Sequence, residues 1–326
     1  MRVVAGALGS RLARGASPSA RCAMSVPAPL AAAPPGKAAA KQAIPPEVLY
    51  PQPTGPVALV DIGANLGDEA FLADLEEVWT RAQQAGVRHV LVTGTSVERS
   101  RAARTLAHRL GPGVWFTAGV HPHDASDWGD ATEAALREVL ADARCVAVGE
   151  CGLDYNRNLS RPEVQRQVLG HHLRLAAELG KPLFLHCREA ASDLQDALRD
   201  ALPGLSKPVV VHCFTGSEAE VASFLALGPS VHIGFTGWLC DERDGRAEAL
   251  AQAVRAVPLD RLLLETDSPY LTPRSCAATN KLRPRRNEPC LLPWVAAAVA
   301  AAKGVPMAQV AEATTANAVR VFGLGA

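Results

Sequence analysis

Two short segments of the sequence end in the same pair of potential metal ligands. The run PLFLHC closes on His186 and Cys187, and the run PVVVHC closes on His212 and Cys213. Two histidines and two cysteines can form a tetrahedral structural zinc site. Successive side chains of a strand point to opposite faces, so a strand that turns its histidine towards a site turns the next residue away. The spacing therefore favours a site that uses only the histidines, with both cysteines packed as small apolar residues.

The two segments belong to a series of eight apolar runs, each followed by a polar turn. The runs are ALVDIG (58–63), HVLVTG (89–94), VWFTAGV (114–120), CVAVGE (145–150), PLFLHC (182–187), PVVVHC (208–213), SVHIGF (230–235) and RLLLET (261–266). Amphipathic segments such as EVQRQVLGHHLRLAAELG lie between them. Short buried strands that alternate with helices indicate parallel βαβ units. Eight units in about 270 residues predict an α/β fold of the (β/α)8 TIM-barrel type, with a doubly wound open sheet as the alternative.

The polar residues at the ends of the predicted strands are candidates for a metal site. In a (β/α)8 barrel the functional residues lie at the C-terminal ends of the strands. Glu150 ends the fourth predicted strand, His186 the fifth and His212 the sixth, while Asp267 follows the eighth. Two imidazoles and two carboxylates on one rim suit Mg²⁺, Mn²⁺ or Zn²⁺. We expect these four residues to bind one or two divalent ions, with Glu150 and Asp267 also taking part in catalysis.

Other polar residues on the same rim are candidates for substrate contacts. His121 directly follows the third predicted strand and is expected to act in catalysis, with His123 beside it on the same loop. Arg188 and Arg286 are expected to hold phosphates through bidentate hydrogen bonds, and Asn65 follows the first strand. Aromatic residues near the rim could stack on unpaired bases; they are Tyr155, Phe214, Trp238 and Tyr270. Solvated positions are expected for His89, His108, His171 and His172.

The first 56 residues differ in composition from the rest of the chain. They are rich in Ala and Pro and hold six basic residues against one acidic residue, Glu47. We expect a disordered extension, either an overlong start upstream of Met24 or an organelle transit peptide. Residues 57–326 are expected to form one barrel domain with a net acidic charge. The longest apolar runs are shorter than the roughly 18 to 20 residues of a membrane-spanning helix, so we expect no membrane association.

The cysteine pattern indicates a reducing environment. Eight cysteines are spread along 326 residues without a Cys-x-x-Cys pair, and a chain of this length needs no disulfides to stabilise its core. We therefore expect a cytoplasmic protein, or an organellar one if the Arg-rich beginning is a transit peptide. We also expect a monomer.

The motifs, taken in order, resemble the TatD family of metal-dependent deoxyribonucleases from about residue 57 to the end. They are DIGANL (61–66), TAGVHPHD (117–124), VAVGECGLDYNRN (146–158), LFLHCR (183–188), VHCFTG (211–216), GFTGWLCDER (234–243), LLLETDSPYL (263–271) and RRNEP (285–289). The resemblance implies that Glu150, His186, His212 and Asp267 ligate the metal and that Glu150 can bridge two ions. Many relatives carry His-x-His after the first strand, where this chain has Gly63 and Asn65. The departure leaves one of two metal positions with fewer protein ligands.

The resemblance implies a 3′-to-5′ exonuclease that acts on single-stranded DNA or RNA in DNA repair or degradation, with Mg²⁺ as the expected ion. Because a fold does not determine a function, a small-molecule amidohydrolase on the same barrel is the alternative. An inactive binding scaffold is a further alternative, supported only by the missing His-x-His.

Overall fold

The structure, a computed structural model, describes residues 58–241, 243–274 and 286–325. The expectations for residues 1–56 lie outside these ranges. Eight strands form one sheet: β1 Leu59–Ala64, β2 Val87–Val92, β3 Val114–Ala118, β4 Cys145–Asp154, β5 Leu183–Arg188, β6 Val209–Val211, β7 Val231–Phe235 and β8 Leu262–Leu264. Each strand pairs in parallel with the next one in the chain, from β1 through β8. The open sheet is therefore excluded in favour of the barrel.

The sheet closes between the end of β8 and the end of β1. The N–H of Asp267 donates to the carbonyl of Gly63 at 2.8 Å, and the N–H of Asn65 donates to the carbonyl of Ser268 at 2.7 Å. A parallel bridge between Ala64 and Ser268 joins the same two segments. Closure brings Asp267 next to Asn65, although 202 positions separate them.

Helices cover the outside of the barrel and follow the strands in order. Those of the described residues are α1 Leu75–Gln84, α2 Val97–Leu110, α3 Thr132–Leu140, α4 Pro162–Leu179, α5 Ala191–Ala201, α6 Glu218–Ala226, α7 Arg246–Ala256, α8 Leu292–Lys303 and α9 Met307–Phe322. Local signals explain several of their ends. α4 stops before Gly180, which adopts a left-handed conformation with φ of 58° that glycine enters at little cost.

Alternation along the strands divides the apolar residues between two cores. Side chains such as Ile62, Phe184 and Leu263 are fully buried in the inner cluster, whereas their strand neighbours pack against the helices. α9 adds Val321 and Phe322 to the inner cluster. Asn317 of α9 donates to the carbonyls of Leu259 and Leu262 at 2.7 and 2.9 Å. The interior is filled, and α9 contacts the beginnings of β1 and β8. The C-terminal ends of the strands are therefore left for the polar residues.

The apolar helices near the C-terminus belong to this packing. Within the described ranges no single helix is both long and apolar enough to cross a membrane. The bent pair Pro289–Lys303 and Met307–Phe322 meets the length and composition criteria when its two helices are taken together.

Candidate active site

The predicted metal-site residues meet at the C-terminal end of the barrel. Glu150, His186, His212 and Asp267 line one cavity of about 490 Å³, which we call the mouth cavity. His121, His123, Asn65 and Arg188 line the same cavity. The side chains come from six strand ends because parallel strands present all their C-terminal ends at one edge. All of the predicted site residues except Arg286 therefore share one site.

Glu150 lies at the centre of three imidazoles. Its Oε1 is 3.2 Å from Nε2 of His121, 3.0 Å from Nδ1 of His186 and 2.8 Å from Nε2 of His212. Burial by itself would raise the pKa of Glu150, but the charge of His212 and the hydrogen bonds from His121 and His186 hold that pKa well below its usual value. The buried carboxylate is thus an anion with nitrogen donors around it, which suits a divalent cation.

Each of the two candidate histidine ligands is held from behind by a carboxylate. Nε2 of His186 lies 3.1 Å from Oδ2 of Asp154, and Nδ1 of His212 lies 3.2 Å from Oε2 of Glu265. Metal-binding histidines commonly donate their second ring N–H to a carboxylate, which orients the ring and selects the tautomer. This pairing leaves Nδ1 of His186 and Nε2 of His212 facing Glu150. The donor set fits a divalent metal, with Asp154 and Glu265 as supports that sequence reasoning did not assign.

Glycines make room for Glu265 inside the barrel. A Cβ atom at Gly63 or Gly234 would collide with the Glu265 carboxylate. Glu265 is fully buried and also accepts a hydrogen bond from the backbone N–H of Cys213. Gly63 and Asn65 are the two positions at which this chain departs from the His-x-His pattern. In this chain the corresponding space is taken by the carboxylate that orients His212.

Asp267 is also a buried carboxylate, and its pKa is shifted in the opposite direction from that of Glu150. Burial raises the pKa of Asp267 to about 7; the charges of Glu150 and Glu265 also raise it, while His212 lowers it. Asn65 donates from Nδ2 to Oδ1 of Asp267 at 2.9 Å. A carboxylate with a pKa near neutrality can accept a proton at neutral pH.

His121 differs from the other two imidazoles in that its protonated nitrogen faces Glu150. Its Nδ1 accepts the backbone N–H of His123 at 3.1 Å, which begins the 3-10 turn Pro122–Asp127. Nδ1 is therefore unprotonated and Nε2 carries the proton that points to Glu150. By distance alone His121, Glu150 and His186 could hold one ion. The hydrogen-bond pattern makes His121 a donor instead, and burial keeps its pKa below the usual value and its ring neutral.

His123 faces the same cavity but contacts a different carboxylate. Its Nε2 lies 2.9 Å from Oδ2 of Asp154, so one carboxylate oxygen supports both His123 and His186. Burial would raise the pKa of Asp154, but hydrogen bonds from His186, the Arg157 backbone and His123 outweigh it and lower that pKa. Asp154 therefore stays ionised, and it connects the loop after β3, which carries His123, with the end of β5, which carries His186.

Cationic side chains at the mouth cavity include two that sequence reasoning missed. Arg99, Arg157 and Arg188 line the cavity, and none of them forms an ion pair with a carboxylate in the part of the chain that the structure describes. Arg99 belongs to the charged run ERSRAAR (98–104), a pattern that by itself predicts only a solvated helix face. Arg99 lies in the first turn of α2, which begins after its N-cap Ser96, and this turn borders the mouth cavity.

Arg286 was predicted to bind phosphate, and the structure contradicts this. Its guanidinium donates to Asp74 at 2.6 and 2.7 Å and to Glu288 at 3.0 Å, and it lies over the ring of Phe71. Arg286 does not line the mouth cavity. Its charge is neutralised by two carboxylates, so it fastens the segment after β8 to the beginning of α1.

The two cysteines of the repeated His-Cys pairs are arranged differently from each other. Cys187 lies within β5 and packs against the outer core as expected. The prediction was wrong for Cys213, which lines the mouth cavity. β6 ends at Val211 and Cys213 has a φ of 44°, so strand alternation no longer applies there. Burial raises the pKa of Cys187 to about 12 and that of Cys213 well above its usual value. The zinc site is disfavoured because Cys187 packs against the outer core while both histidines face Glu150.

His172 was expected on the surface and is fully buried instead. Its Nδ1–H donates to the carbonyl of Val168 at 2.8 Å, and its Nε2 accepts the N–H of Val120 at 3.0 Å. Val120 precedes His121, so α4 holds the backbone of the His121 loop. The helical pattern alone could not reveal this contact, because its partner lies in another βα unit.

A family model described as TatD-related DNase matches residues 60–323. The 3′-5′ ssDNA/RNA exonuclease TatD of Cronobacter sakazakii is 48% identical over 267 residues, which cover 81% of this chain and 97% of that protein.

Two solved structures are similar in fold and sequence. YjjV, a TatD homologue from Escherichia coli K12, is 28% identical with a TM-score of 0.72, covering 82% of this chain and 98% of that one. An uncharacterised amidohydrolase from Saccharomyces cerevisiae is 25% identical with a TM-score of 0.68, covering 82% and 100%. Residues 60–323, which the family model matches, include every residue around Glu150 and all eight strands except Leu59 at the start of β1. The chain belongs to the TatD-related deoxyribonuclease family.

Proposed function

We propose that this protein is a divalent-metal-dependent exonuclease that removes nucleotides from the 3′ end of single-stranded DNA or RNA. The meeting of three imidazoles on Oε1 of Glu150, beside Asp267, carries the proposal. It is supported by the 48% identity to the Cronobacter enzyme, which bears that activity in its name. Glu150, His186, His212 and Asp267 would hold the ion or ions. The cation would neutralise charge on the phosphoryl oxygens and lower the pKa of water at the site.

Asp267 is proposed to accept a proton from the attacking water in addition to its role as a ligand. Its place in the mouth cavity beside Glu150 supports this role, because a general base must lie within reach of the water that it deprotonates. The hydrogen bond from Asn65 fixes one oxygen of the carboxylate and leaves the other for the proton. Asn65 thus contributes by orienting the base.

His121 is proposed to stabilise charge on the phosphoryl or departing oxygen as a neutral hydrogen-bond donor. A proton on Nδ1 would face the backbone N–H of His123, so the doubly protonated ring is disfavoured. The Nε2–H can instead turn from Glu150 to a developing negative charge. A preorganised donor of this kind typically contributes about 10²- to 10³-fold to the rate.

Arg99, Arg157 and Arg188 are proposed to bind phosphate groups of the strand at the mouth cavity, with His123 as a further contact. All four line the mouth cavity. Contacts of this kind are sensitive to salt, since binding releases counterions from the nucleic acid. Affinity is therefore expected to fall as the salt concentration rises.

We further propose Mg²⁺ as the physiological ion, with Mn²⁺ and Zn²⁺ as alternatives, and one or two ions per site. The carboxylates Glu150 and Asp267 support an ion that prefers oxygen ligands. A monomer in the cytoplasm with a role in DNA repair or degradation would be consistent with this activity. Size-exclusion chromatography with light scattering and localisation of the tagged full-length protein would test the oligomeric state and the compartment.

The activity can be tested with protein freed of metal by chelation. We expect Mg²⁺, Mn²⁺ or Zn²⁺ to restore stepwise shortening of a 5′-labelled single strand, whereas a 3′-labelled strand should release its label as a mononucleotide at once. A phosphorothioate as the last linkage should slow the first step. Duplex DNA and single-stranded RNA of the same sequence measure the preference for strand type. A lack of cleavage with every ion would contradict the proposal.

The amidohydrolase alternative is favoured only by the similarity to the yeast protein, whose name gives that class without a substrate. The same metal-loaded protein should therefore be offered a panel of amides and cyclic amides. Hydrolysis of an amide with no nuclease activity would support the alternative, and nuclease activity that survives size-exclusion and is lost in Glu150→Gln would exclude contamination as its source.

A further inference from the structure

A second cavity opens beside the candidate metal site. Its volume is about 390 Å³, and we call it the side cavity. It shares His186, Arg188, Cys213 and Asp267 with the mouth cavity. Because the two cavities meet at the metal site, a strand whose scissile phosphate lies at that site can extend into both cavities.

The side cavity has the composition of a site for a flat neutral group. Phe214, Phe224, Trp238 and Leu271 contribute apolar surface to its wall. Phe214 is held edge-on against Phe224 and Phe235, with ring centroids 6.4 and 6.1 Å apart. This wall is rigid, and aromatic walls of this kind bind nucleic-acid bases by stacking.

The charges around the side cavity argue against a phosphate. Glu189 and Glu220 line it, and Arg188 is its cation. Glu220 accepts the N–H and the hydroxyl of Ser217 at 2.7 and 2.9 Å, and Glu189 accepts Nδ2 of Asn156 at 2.5 Å. With Asp267, which the two cavities share, three carboxylates line the side cavity against one guanidinium. They would repel an anion, whereas they can accept hydrogen bonds from the amino groups of a base.

Beyond the side cavity lies a third cavity of opposite character. It measures about 280 Å³, shares Trp238 and Leu271 with the side cavity, and is lined by Arg243, Arg246 and Arg274. We call it the basic cavity. Asp241 pairs with Arg243 and with Arg274. The guanidinium of Arg246 lies over the ring of Trp238, 4.7 Å from its centroid.

The order of the three cavities matches the repeat of a nucleic-acid strand. The metal site suits a phosphate, the side cavity a base, and the basic cavity a second phosphate. Trp238 lines both the side cavity and the basic cavity. Arg246, which lines the basic cavity, lies over the Trp238 ring. A base stacked there would complete a layer of base, indole and guanidinium, in which the cation also favours the indole face.

We propose that the side cavity binds the base on the 5′ side of the scissile phosphate, stacked on Trp238, and that Arg246 contacts the next phosphate in the 5′ direction. The direction follows from the chemistry of a 3′-to-5′ exonuclease, so this inference rests on the proposed function. The nucleotide on the 3′ side of the scissile bond ends in a free hydroxyl and has no further phosphate. Only the retained strand continues to another phosphate, so only it can occupy both the side cavity and the basic cavity. The departing nucleotide lies at the opposite wall of the mouth cavity.

The base contact can be tested with abasic substrates. Single-stranded pentanucleotides with a tetrahydrofuran abasic residue at the last or the penultimate position are compared with the unmodified strand. For the unaltered protein, loss of the penultimate base should lower kcat/KM for the first cleavage by about 5- to 100-fold, the range for loss of one stacked base. In Trp238→Ala the unmodified strand should be cleaved more slowly by a similar factor, and the abasic penalty at the penultimate position should vanish. Trp238→Phe should restore most of the penalty.

The phosphate contact can be tested with the shortest substrates. The dinucleotide dTpT has a scissile phosphate and no phosphate on its 5′ side, whereas 5′-phosphorylated dTpT has one. The 5′-phosphate should lower KM in the unaltered protein, and Arg246→Ala should remove this gain. Arg255→Ala is the matched control, because Arg255 lies on the same helix and pairs with Glu248 at 2.9 Å; it should keep the gain in full.

The outcomes separate this inference from the proposed function. If the unaltered protein cleaves no single strand with any ion, the proposed function itself fails. If it cleaves, and the abasic penalty at the penultimate position is equal in the unaltered protein and Trp238→Ala, the stacking site is wrong. A penalty confined to the last nucleotide that depends on Trp238 would reverse the direction of the strand and overturn the proposal.

Discussion

At the scale of single residues, Glu150 determines what the site can bind. Its Oε1 is the only atom that the imidazoles of His121, His186 and His212 all approach within 3.2 Å among the described residues. Its low pKa keeps it anionic at every physiological pH. A carboxylate in that position offers two oxygens to cations, and no other side chain in the cluster occupies the centre.

Replacement of Glu150 by Gln is expected to abolish metal binding and cleavage together. The amide keeps the shape of the side chain but lacks the charge, so the fall in kcat should be at least about 10²- to 10³-fold. Elemental analysis after dialysis and cleavage of an end-labelled single strand measure the two effects. Glu133→Gln removes a carboxylate from an exposed pair with Arg137 and serves as the control. Near-normal cleavage by Glu150→Gln would show that the centre lies elsewhere.

The supporting carboxylates should act through the histidines that they hold. In Asp154→Asn the partner of His186 is lost, and in Glu265→Gln the partner of His212 is lost. Each change is expected to weaken metal affinity by about 10- to 100-fold, the range for loss of a carboxylate that accepts the second ring N–H of a metal-binding histidine. Isothermal titration of the metal-free proteins measures this without reference to activity. Equal affinities in all three proteins would rule out the orienting role.

At the scale of elements, α4 and the loop after β3 are joined by one neutral imidazole. His172 uses both ring nitrogens, as a donor to Val168 and an acceptor from Val120. Burial lowers the pKa of His172 to about 4, because a charged ring would lie in an apolar interior and could not accept the Val120 N–H. The position of His121 thus depends on a helix from the next βα unit.

This contact makes a prediction about stability and pH. Between about pH 6.5 and pH 4 the unfolded chain binds a proton at this histidine and the folded chain does not, so stability falls as the pH is lowered through that window. The loss is at most about 1.4 kcal/mol per pH unit for one group. Urea unfolding of the full-length protein and of His172→Gln from pH 4.5 to 8 should show a shallower slope in the variant. Parallel curves for the two proteins would contradict the assignment.

At the scale of the whole molecule, the barrel begins with β1. The N–H of Leu59 donates to the carbonyl of Gly86 at 2.9 Å, and the hydroxyl of Thr315 in α9 donates to the carbonyl of Ala58 at 2.7 Å. The first strand is therefore fastened at its beginning by contacts to β2 and to the last helix. Its other end closes the barrel through Gly63 and Asn65.

A protein comprising residues 55–326 is expected to unfold cooperatively and to keep full activity, since every strand and every residue around Glu150 lies within it. Urea unfolding followed by circular dichroism and the single-strand cleavage assay test both parts. A protein comprising residues 65–326 lacks β1 and should fail to fold, which makes it the negative control. A broad, non-cooperative transition for residues 55–326 would mean that the barrel needs residues before 55.

The sequence by itself determined the order of the strands and helices, and it determined which strand ends carry residues that can bind a metal or take part in catalysis. Strand alternation and the apolar runs are local properties, and parallel pairing places all strand ends at one edge whatever the details. For that reason Glu150, His186, His212 and Asp267 could be assigned to one rim before any coordinates were considered. The same logic failed at Cys213, where the strand had already ended.

Tertiary structure decided everything that depends on which distant residue fills a given space. The guanidinium of Arg286 could bind phosphate, but it forms an ion pair with Asp74 instead. Arg99 lies in a run typical of a solvated helix face, and the fold places it at the mouth cavity. Glu265 reaches His212 only because Gly63 and Gly234, on two other strands, leave room for it. His172 is neutral because of what surrounds it rather than because of its neighbours in the chain. Partners of charged and polar side chains are chosen by closure of the barrel, since burial makes an unpaired polar group costly and the sequence does not specify which remote group will pair with it.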